Sequence, residues 1–242
     1  MKKISLIIAT YNAAKTLRRC LDSIVIQKDD SVELVIIDGG SKDNTVDIIK
    51  EYERNVDYWI SEKDKGIYDA WNKGVRAATG VWIVFLGADD QLLPDFFSTY
   101  LKLLETVNSN EIDLISAKSV LVDENGTRLR SFGGPYKYER FKFFMDISHG
   151  STLQNRKLFD EIGSFDTSIK ICADYDFLLR KQMRALFVDK EMIVMQYGGM
   201  SNTVAGLIDG YRVRKKNHSI SSVLNCMILI KGLIMFYIRK FL

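Results

Sequence analysis

The sequence predicts an α/β protein with a mainly parallel sheet and helices on both faces. Apolar runs rich in β-branched residues, such as residues 4–9 (ISLIIA) and 33–38 (ELVIID), are typical of strands that are buried on both faces. Segments with apolar residues at helical spacing, such as residues 17–25, alternate with these runs. Strands that alternate with helices form right-handed crossover units, and these units build a parallel sheet.

The first half of the chain contains four such units. The predicted strands lie at residues 4–9, 33–38, 57–61 and 81–86. The helices that follow them are predicted after Asn12, which can cap the first one, through residues 46–52, at residues 67–78, and from Pro94 to about residue 106.

The second half is less regular. Two strands within residues 113–129 are predicted to form a hairpin, because Asp-Glu-Asn-Gly at 123–126 is a turn signal. A short helix is expected near residues 156–161, a longer helix over residues 173–185, and a strand near residues 192–196.

Composition limits the class of protein. The chain has 242 residues, 47% of them hydrophobic, which is enough for one large packed domain. Its formal net charge of +3 is too small to indicate nucleic-acid binding. The three cysteines form no CxxC pair, which favours a reducing cytosol. The apolar run at residues 4–9 is too short for the core of a signal peptide and is interpreted as the first strand.

Polar residues follow each of the four predicted strands. The first ends in Thr10-Tyr11-Asn12, the second ends in Asp38, the third leads to Lys65-Gly66, and the fourth leads to Asp89-Asp90. Ligands of an open parallel sheet bind outside the carboxyl ends of its strands, so we expect these residues to share one edge. Turn formation alone explains an aspartate, asparagine or glycine at any single one of these positions.

The adjacent carboxylates Asp89 and Asp90 need a further explanation. Two like charges at the end of an apolar strand repel each other, and a turn requires only one such residue. A divalent cation, Mg²⁺ or Mn²⁺, would cancel this repulsion and hold a substrate diphosphate. The chain has neither a GxGxxG nor a GxxxxGK[ST] loop, which favours a phosphate held through the metal.

Six segments, taken in order, resemble the inverting family-2 glycosyltransferases with the GT-A fold. They are SLIIATYNAAKTLRRCLDSI, ELVIIDGGSKDNTVDIIKEY, YWISEKDKGIYDAWNKGVRAATG, WIVFLGADD, SHGSTLQNRKLFDEIGSFD and CADYDFLLR. The resemblance covers the chain from residue 4 to about residue 180. It implies a nucleotide-sugar donor and transfer with inversion of the anomeric carbon.

The resemblance also implies roles for individual donor-site residues. Thr10, Tyr11 and Asn12 would line the donor site, with the first two flanking the nucleobase, and Asp38 would accept a hydrogen bond from the base. Lys65 is assigned to the diphosphate, because Trp71 replaces an arginine that many members carry. The remaining expected substrate-binding residues are Gly66, Asp89 and His149, the last in the donor or the acceptor pocket, and the expected metal ligands are Asp89 and Asp90. For His149, a structural role in a turn is the alternative.

Asp174 occupies the position of the family's catalytic base. Inverting transfer is a single displacement, so one carboxylate must take the proton of the attacking hydroxyl while the metal stabilises the leaving diphosphate. The sequence departs from the family pattern at Ala173, in place of an acidic neighbour, and at Gly87, in place of the first acid of D-x-D-D. These departures leave open a nucleotide-sugar-binding protein that has lost catalysis. A sugar-nucleotide pyrophosphorylase is a second alternative, but the N-terminal segment lacks its glycine- and basic-rich loop.

The C-terminal segment has its own pattern. Asn225, Gly232 and Arg239 are seven residues apart and would form a narrow polar stripe on an apolar helix over residues 219–242. Four basic residues precede it at Arg212, Arg214, Lys215 and Lys216. This combination predicts an amphipathic helix at the interface of an anionic membrane. The alternatives are packing on the catalytic domain or on a second subunit, as in a homodimer.

The predicted organisation is therefore a GT-A domain over residues 1–210 and a basic, apolar segment over residues 211–242. Residues 1–110 would form its nucleotide-binding half and residues 111–210 its acceptor-binding half. We expect a cytoplasmic enzyme, peripheral on the inner face of the plasma membrane. Its acceptor would be a lipid-linked saccharide or another oligosaccharide precursor of a surface polysaccharide or lipopolysaccharide.

Overall fold

The computed structural model describes residues 2–241 and places nine strands of this range in one sheet. The strands are β1 (Ile4–Thr10), β2 (Val32–Asp38), β3 (Tyr58–Ser61), β4 (Trp82–Gly87), β5 (Gln91–Leu92), β6 (Leu114–Val122), β7 (Arg128–Phe132), β8 (Leu153–Asn155) and β9 (Ala185–Gln196). The helices are α1 (Leu17–Val25), α2 (Thr45–Glu51), α3 (Ile67–Ala77), α4 (Phe96–Leu104), α5 (Tyr138–Phe141), α6 (Lys157–Glu161), α7 (Ala173–Leu179), α8 (Val204–Lys216) and α9 (Ser222–Phe241).

The sheet brings the carboxyl ends of its first strands to one edge. The order is β3–β2–β1–β4–β8–β6–β9–β5, with β7 paired to β6, and the first four strands are parallel. Thr10 pairs with Asp38, Asp38 with Ser61, and Ala9 with Gly87. The polar residues that follow these strands therefore lie along one edge, as predicted.

Alternate residues of the central strands enter two separate cores. On one face, residues such as Leu6 and Val84 pack with α1, α2 and α4. On the other face, residues such as Ile7 and Phe85 pack with α3 and α7. Each such side chain contributes about 1.5–3 kcal/mol by leaving water. The prediction of helices on both faces is confirmed.

The second half of the sheet joins the first through a strand that was not predicted. β8 lies between β4 and β6 and is antiparallel to both. Three residues are too few to show the alternation that identifies a strand. The predicted hairpin is confirmed as β6 and β7, whose connection contains Gly126 at a φ of +81°.

The helix predicted over residues 173–185 is wrong in its second half. α7 ends at Leu179, and the chain then turns so that β9 starts at Ala185 in register with β6. The carboxylate of Asp113 fixes this turn by accepting bonds from the backbone N–H (2.9 Å) and the Nε (3.1 Å) of Arg184. Its backbone N–H also donates to the Arg184 carbonyl at 2.8 Å. A local helical pattern does not reveal this long-range pairing.

The C-terminal segment forms a helical hairpin, and α8 runs across the predicted domain boundary. Nε of Arg214 on α8 donates to Oδ1 of buried Asn225 on α9 at 2.7 Å. A Cβ added to Gly232 would lie 3.0 Å from Leu207, so the helices approach closely there. The described part of the predicted polar stripe thus faces α8 and not solvent, which corrects that prediction. The side chain of Arg239 lies outside the described residues.

The side of α9 opposite Asn225 is exposed and apolar. Its residues recur at helical spacing, and we call them the outer face of α9. They are Val223, Met227, Ile230, Ile234, Tyr237 and Ile238. Within residues 2–241, the structure contains no helix that combines the length and the apolarity needed to cross a membrane.

Candidate active site

A cavity of about 440 Å³ opens at the carboxyl ends of β1 and β2. We call it the base cavity. Tyr11 is 64% exposed, so its ring is available to stack on a planar ligand. The residues that line the cavity include Thr10, Tyr11, Gly39, Lys63, Asp64 and Gly66. The fold therefore brings together three of the predicted donor-site residues, Thr10, Tyr11 and Gly66.

Asp38 is fully buried at the end of β2. One carboxylate oxygen accepts bonds from Thr10 Oγ1 (2.9 Å) and Ser41 Oγ (2.5 Å). The other accepts bonds from the N–H groups of Gly40 (3.1 Å) and Ser41 (2.9 Å) and from Ser61 Oγ (2.6 Å). Burial by itself would raise the pKa of Asp38, but these bonds outweigh it and lower the pKa. Asp38 thus holds the loop after β2, and its bond to a nucleobase stays a prediction.

Asn12 does not cap α1, which corrects that prediction. Its backbone has a φ of +50°, and α1 begins only at Leu17. Its Oδ1 accepts a bond from the N–H of Lys42 (2.8 Å), and its own N–H donates to Ser41 Oγ (2.8 Å). Asn12 therefore fastens the loop after β1 to the loop after β2, and both loops shape the base cavity.

The loop before α3 contributes Asp64, which the sequence analysis missed. A Cβ on Gly39 would lie 2.5 Å from Asp64 Oδ2, so glycine is needed for this close approach. Asp64 Oδ1 accepts a bond from the N–H of Gly66 (2.8 Å), whose φ of +118° also favours glycine. Lys65 is exposed on the same loop, and its carbonyl accepts a bond from Lys170 (3.2 Å). Its contact with a diphosphate stays a prediction.

Asp89 and Asp90 converge above Gly87. A Cβ on Gly87 would lie 2.7 Å from Asp89 Oδ1 and 2.9 Å from Asp90 Oδ2, so glycine leaves the room that both carboxylates occupy. Asp89 is exposed, whereas Asp90 is buried. Burial, and then the negative charge of Asp89, raise the pKa of Asp90 to about 8. The departure from the family pattern at Gly87 is therefore what allows the convergence.

The pair fits a hard divalent cation. Two carboxylate oxygens aimed at one space supply part of a shell, and Mg²⁺ usually takes its other ligands from phosphate and water. The described residues contain no group of three or more histidine, cysteine or acidic side chains placed to hold a metal. Arg19, which the sequence analysis missed, donates from Nη2 to the Asp89 carbonyl at 3.3 Å. The site therefore places two converging carboxylates beside the positive charge of Arg19.

Asp174 stands in the first turn of α7 and contacts Tyr68 on α3. The Tyr68 hydroxyl donates to Asp174 Oδ1 at 3.0 Å and also contacts the carbonyl of Ile171. The N–H of Tyr175 donates to the same Asp174 oxygen at 2.9 Å. Burial and the Asp174 carboxylate raise the pKa of Tyr68 far above its usual value, so the hydroxyl keeps its proton. Sequence reasoning missed Tyr68, although it lies within the quoted GIYDAWNKG segment.

An aromatic floor connects Asp174 with the acidic pair. The ring of Tyr68 packs on Trp71 (5.4 Å between centroids), and Trp71 stacks on His149 (5.1 Å). The next residue, Gly150, is so close to Asp90 that an added Cβ would lie 3.9 Å from its Oδ2. Packed aromatic rings therefore lead from the partner of Asp174 to the neighbourhood of Asp90, and the shared site of the three acids stays a prediction.

His149 is a structural part of this floor. It stacks on Phe85 (5.4 Å between centroids) as well as on Trp71, and its Nε2 lies 2.8 Å from the side-chain nitrogen of Gln154. Burial lowers the pKa of His149, which favours the neutral ring. These contacts favour the structural alternative for His149, and its contact with substrate stays a prediction.

Comparison with known proteins gives the family. Residues 5–166 match the model of glycosyl transferase family 2. The PGL/p-HBAD biosynthesis glycosyltransferase of Mycobacterium tuberculosis is 35% identical over 209 residues, covering 83% of this chain and 79% of the relative. An uncharacterized glycosyltransferase of Rickettsia typhi is 26% identical over 243 residues, covering 95% of this chain and 75% of that one.

Solved structures give the same fold. S. aureus TarS in complex with UDP-GlcNAc superposes with a TM-score of 0.72 at 19% identity, covering 96% of this chain and 71% of that chain. The mannosyltransferase PcManGT from Pyrobaculum calidifontis, in complex with GDP-Man and Mn²⁺, has a TM-score of 0.65 at 18% identity, covering 96% of this chain and 74% of that chain. With its GT-A fold and a family match that spans more than half of its residues, the chain belongs to glycosyltransferase family 2 and is a glycosyltransferase.

Proposed function

We propose that the protein transfers a sugar, with inversion, from a nucleotide-sugar donor to a hydroxyl of a lipid-linked or surface-polysaccharide acceptor. Asp89 and Asp90 would hold Mg²⁺ or Mn²⁺ in this reaction. One observation carries the proposal: Asp174, fixed by Tyr68, is joined by an aromatic floor to a separate, converging acidic pair. A single displacement needs this separation, because the proton and the diphosphate leave from opposite ends of the reacting centre.

The reaction forms one bond and breaks one. The acceptor oxygen bonds to the anomeric carbon from the side opposite the diphosphate, whose bond to that carbon breaks. Asp174 takes the hydroxyl proton as the oxygen attacks, and Tyr68 holds Oδ1 of Asp174 during this step. A cation held by Asp89 and Asp90 would stabilise the negative charge of the leaving diphosphate. Arg19 adds a positive charge on the same side of the centre.

The base cavity favours a uridine or guanosine diphosphate sugar. Tyr11 offers its exposed ring for stacking, which contributes about 1–3 kcal/mol per base in other nucleotide sites. Asp64 offers a carboxylate, and uracil and guanine each present a ring N–H that a carboxylate accepts. Adenine presents only an acceptor nitrogen at the corresponding ring position. The ligands named for the structural neighbours, UDP-GlcNAc and GDP-Man, agree with this preference.

The hairpin of α8 and α9 supports an acceptor at an anionic membrane. The outer face of α9 is apolar, and Ile208, Arg212 and Lys215 lie on one exposed side of α8. An apolar surface beside exposed cations suits a bilayer with anionic head groups. We therefore propose peripheral binding to the inner face of the plasma membrane, in place of a homodimer built on α9.

A screen of nucleotide sugars by thermal shift, with and without Mn²⁺, tests the donor proposal. A ligand at about 100 times its Kd stabilises the fold by about 2.7 kcal/mol, a readable shift. The expected hits are UDP- or GDP-sugars that require Mn²⁺, and Tyr11→Ala should weaken them. Stabilisation that is equal in chelator would exclude the metal role. Release of nucleoside diphosphate upon addition of acceptor then separates an active enzyme from a protein that only binds the donor.

A further inference from the structure

A second cavity, of about 450 Å³, lies apart from the donor site. It opens between the end of β9, the short turn at Met200–Asn202, and the hairpin of α8 and α9. We call it the hairpin groove. Apolar side chains line it from the strand end and both helices, and polar ones line it from the turn. The residues used below are Tyr197, Ser201, Leu207, Met235 and Phe236.

The walls of the hairpin groove are held by specific contacts. Thr203 caps α8 by accepting a bond from the N–H of Gly206 (3.1 Å), and its hydroxyl donates to the Met200 carbonyl (2.7 Å). A Cβ on Gly206 would lie 2.5 Å from the Ser201 carbonyl, so the turn sits directly on the helix. On the other wall, Gly232 allows α9 to approach α8 closely. These contacts fix the shape of the groove within the fold.

The hairpin groove shares the helix α8 with the segment that carries the candidate base. Asp209 on α8 accepts a bond from the N–H of Ile171 at 3.0 Å. The thiol of Cys172 contacts the carbonyl of Gly206 at 3.6 Å. These two residues precede Asp174 by three and two positions. The first turns of α8 thus touch the segment that carries the base and also form one wall of the groove.

The groove is also continuous with the outer face of α9. Met235 lines the groove and is itself 41% exposed, next to Ile234 of the outer face. An apolar chain could pass from a bilayer along α9 into the groove with little contact with water. The polar residues of the turn would then face the more polar part of the same molecule. The ligand class that fits both the apolar wall and the polar turn is an amphiphile with a hydrocarbon chain and a saccharide or phosphate head.

We propose that the hairpin groove binds the hydrocarbon chain of the lipid-linked acceptor and thereby brings its head group to Asp174. This inference rests on the proposed transfer to a lipid-linked acceptor, but it concerns a different cavity from the donor site. Tyr197, Leu207 and Phe236 provide the apolar wall, and Ser201 marks the polar end.

Calorimetric titration with n-alkyl β-D-glucosides, from hexyl to dodecyl and below micelle-forming concentrations, tests the groove on the full-length protein. We expect saturable one-to-one binding whose affinity rises about fourfold for each added methylene until the groove is filled. Met235→Lys places a charge in the groove, and Ser201→Trp fills it from the exposed turn. Each should lower the affinity by about tenfold or more.

Ile26→Lys is the matched control, because it makes the same change at an exposed apolar residue at the end of α1, outside the groove and α9, and should leave the affinity unchanged. Equal losses in Ile26→Lys and Met235→Lys, or wild-type affinity in both groove variants, would contradict the proposal that the groove binds the chain. Binding of UDP and GDP with Mn²⁺ is measured in parallel on the same proteins. A wild-type protein that binds alkyl glucosides but neither nucleotide contradicts the donor proposal and not the groove, whereas the reverse result contradicts the groove alone.

Discussion

The hydroxyl of Tyr68 donates a hydrogen bond to Oδ1 of Asp174 across 3.0 Å and joins α3 to α7 at the candidate base. The same α3 starts next to Gly66 and Ile67, which line the base cavity. One helix therefore positions both the base cavity and the candidate base. A hydrogen bond to a charged group contributes about 1.5–3 kcal/mol, enough to affect turnover strongly if the bond orients the base.

Tyr68→Phe should lower kcat by roughly 10- to 100-fold and leave KM for the donor nearly unchanged. The variant keeps the ring and loses the hydroxyl, with its bond to Asp174 and its contact with the Ile171 carbonyl. Tyr175→Phe is the control, because it also loses a buried hydroxyl bond, to the Phe141 carbonyl at 2.8 Å, without removing a side-chain contact to Asp174. Steady-state kinetics and melting temperatures of both variants separate an effect on the base from an effect on stability. Equal kcat losses in the two would mean that Tyr68 acts only through stability.

Asp174 and Asp176 lie two residues apart on α7, and replacing each with asparagine should affect a different property. The change at Asp174 should affect turnover, and the change at Asp176 should affect stability. Asp174→Asn should keep donor binding and lose turnover, because an amide has the same shape but does not take a proton. Asp176 is fully buried and pairs with Arg180 at 2.6 Å. Asp176→Asn should cost about 3–5 kcal/mol of stability and keep the turnover of the folded fraction. Chemical unfolding and single-turnover assays separate the two effects, and unchanged turnover in Asp174→Asn would assign the base elsewhere.

The raised pKa of Asp90 predicts a pH-dependent stability. Its pKa of about 8 in the folded state lies above the usual value of about 3.9, so the folded protein binds the extra proton between these limits. The stability of the metal-free protein should therefore fall as pH rises towards 8, by up to about 1.4 kcal/mol per pH unit. Asp90→Asn should remove this slope and be more stable than wild type at pH about 9.

Mn²⁺ should cancel this slope in the wild-type protein. A cation competes with the proton for Asp90, so its stabilising effect should grow between pH about 6 and 9. Melting temperatures in chelator and in Mn²⁺, measured over this range for wild type and Asp90→Asn, test both statements. An equal Mn²⁺ effect in the two proteins would remove Asp90 from the metal site.

Because the outer face of α9 is apolar and exposed, we expect it to bind vesicles without contributing to the stability of the fold. Ile230→Glu and Ile234→Glu should each weaken co-sedimentation with anionic vesicles and leave the melting temperature close to wild type, because both side chains are more than half exposed. Binding by wild type should weaken but persist as salt rises, since the apolar contribution is not screened. Ile26→Glu is the control, because Ile26 is 85% exposed at the end of α1. A concentration-dependent dimer that dissociates in Ile230→Glu, without vesicle binding, would favour the homodimer.

Local patterns predicted the first half of the fold well. Its strands are apolar runs bounded by turn residues, and the sheet edge that collects Thr10, Tyr11 and Gly66 follows from parallel pairing alone. The end of α7 was beyond such reasoning, because it depends on a bond between Asp113 and Arg184, which are far apart in sequence. Local patterns describe what a segment prefers, and long-range pairing decides where it ends.

In the candidate site, too, local motifs predicted some residues and missed those that depend on long-range contacts. The positions of Asp89, Asp90 and Asp174 follow from motifs, but their partners Arg19 and Tyr68 come from other helices and carry no signal next to the acids. The partner of the polar stripe on α9 was missed for a related reason. A polar stripe on an apolar helix faces water only if no buried partner exists, and here Arg214 is that partner for Asn225.

The bond between Asp209 and the N–H of Ile171 has a geometric consequence for selectivity. It fixes α8 against the segment that carries Asp174, and α9 packs on another side of the same helix. Packed helices lie about 8–10 Å apart, so the base sits at a fixed height above whatever surface the outer face of α9 rests upon. Acceptors would then be distinguished by how far their reactive hydroxyl stands out from the bilayer as well as by the sugar that carries it.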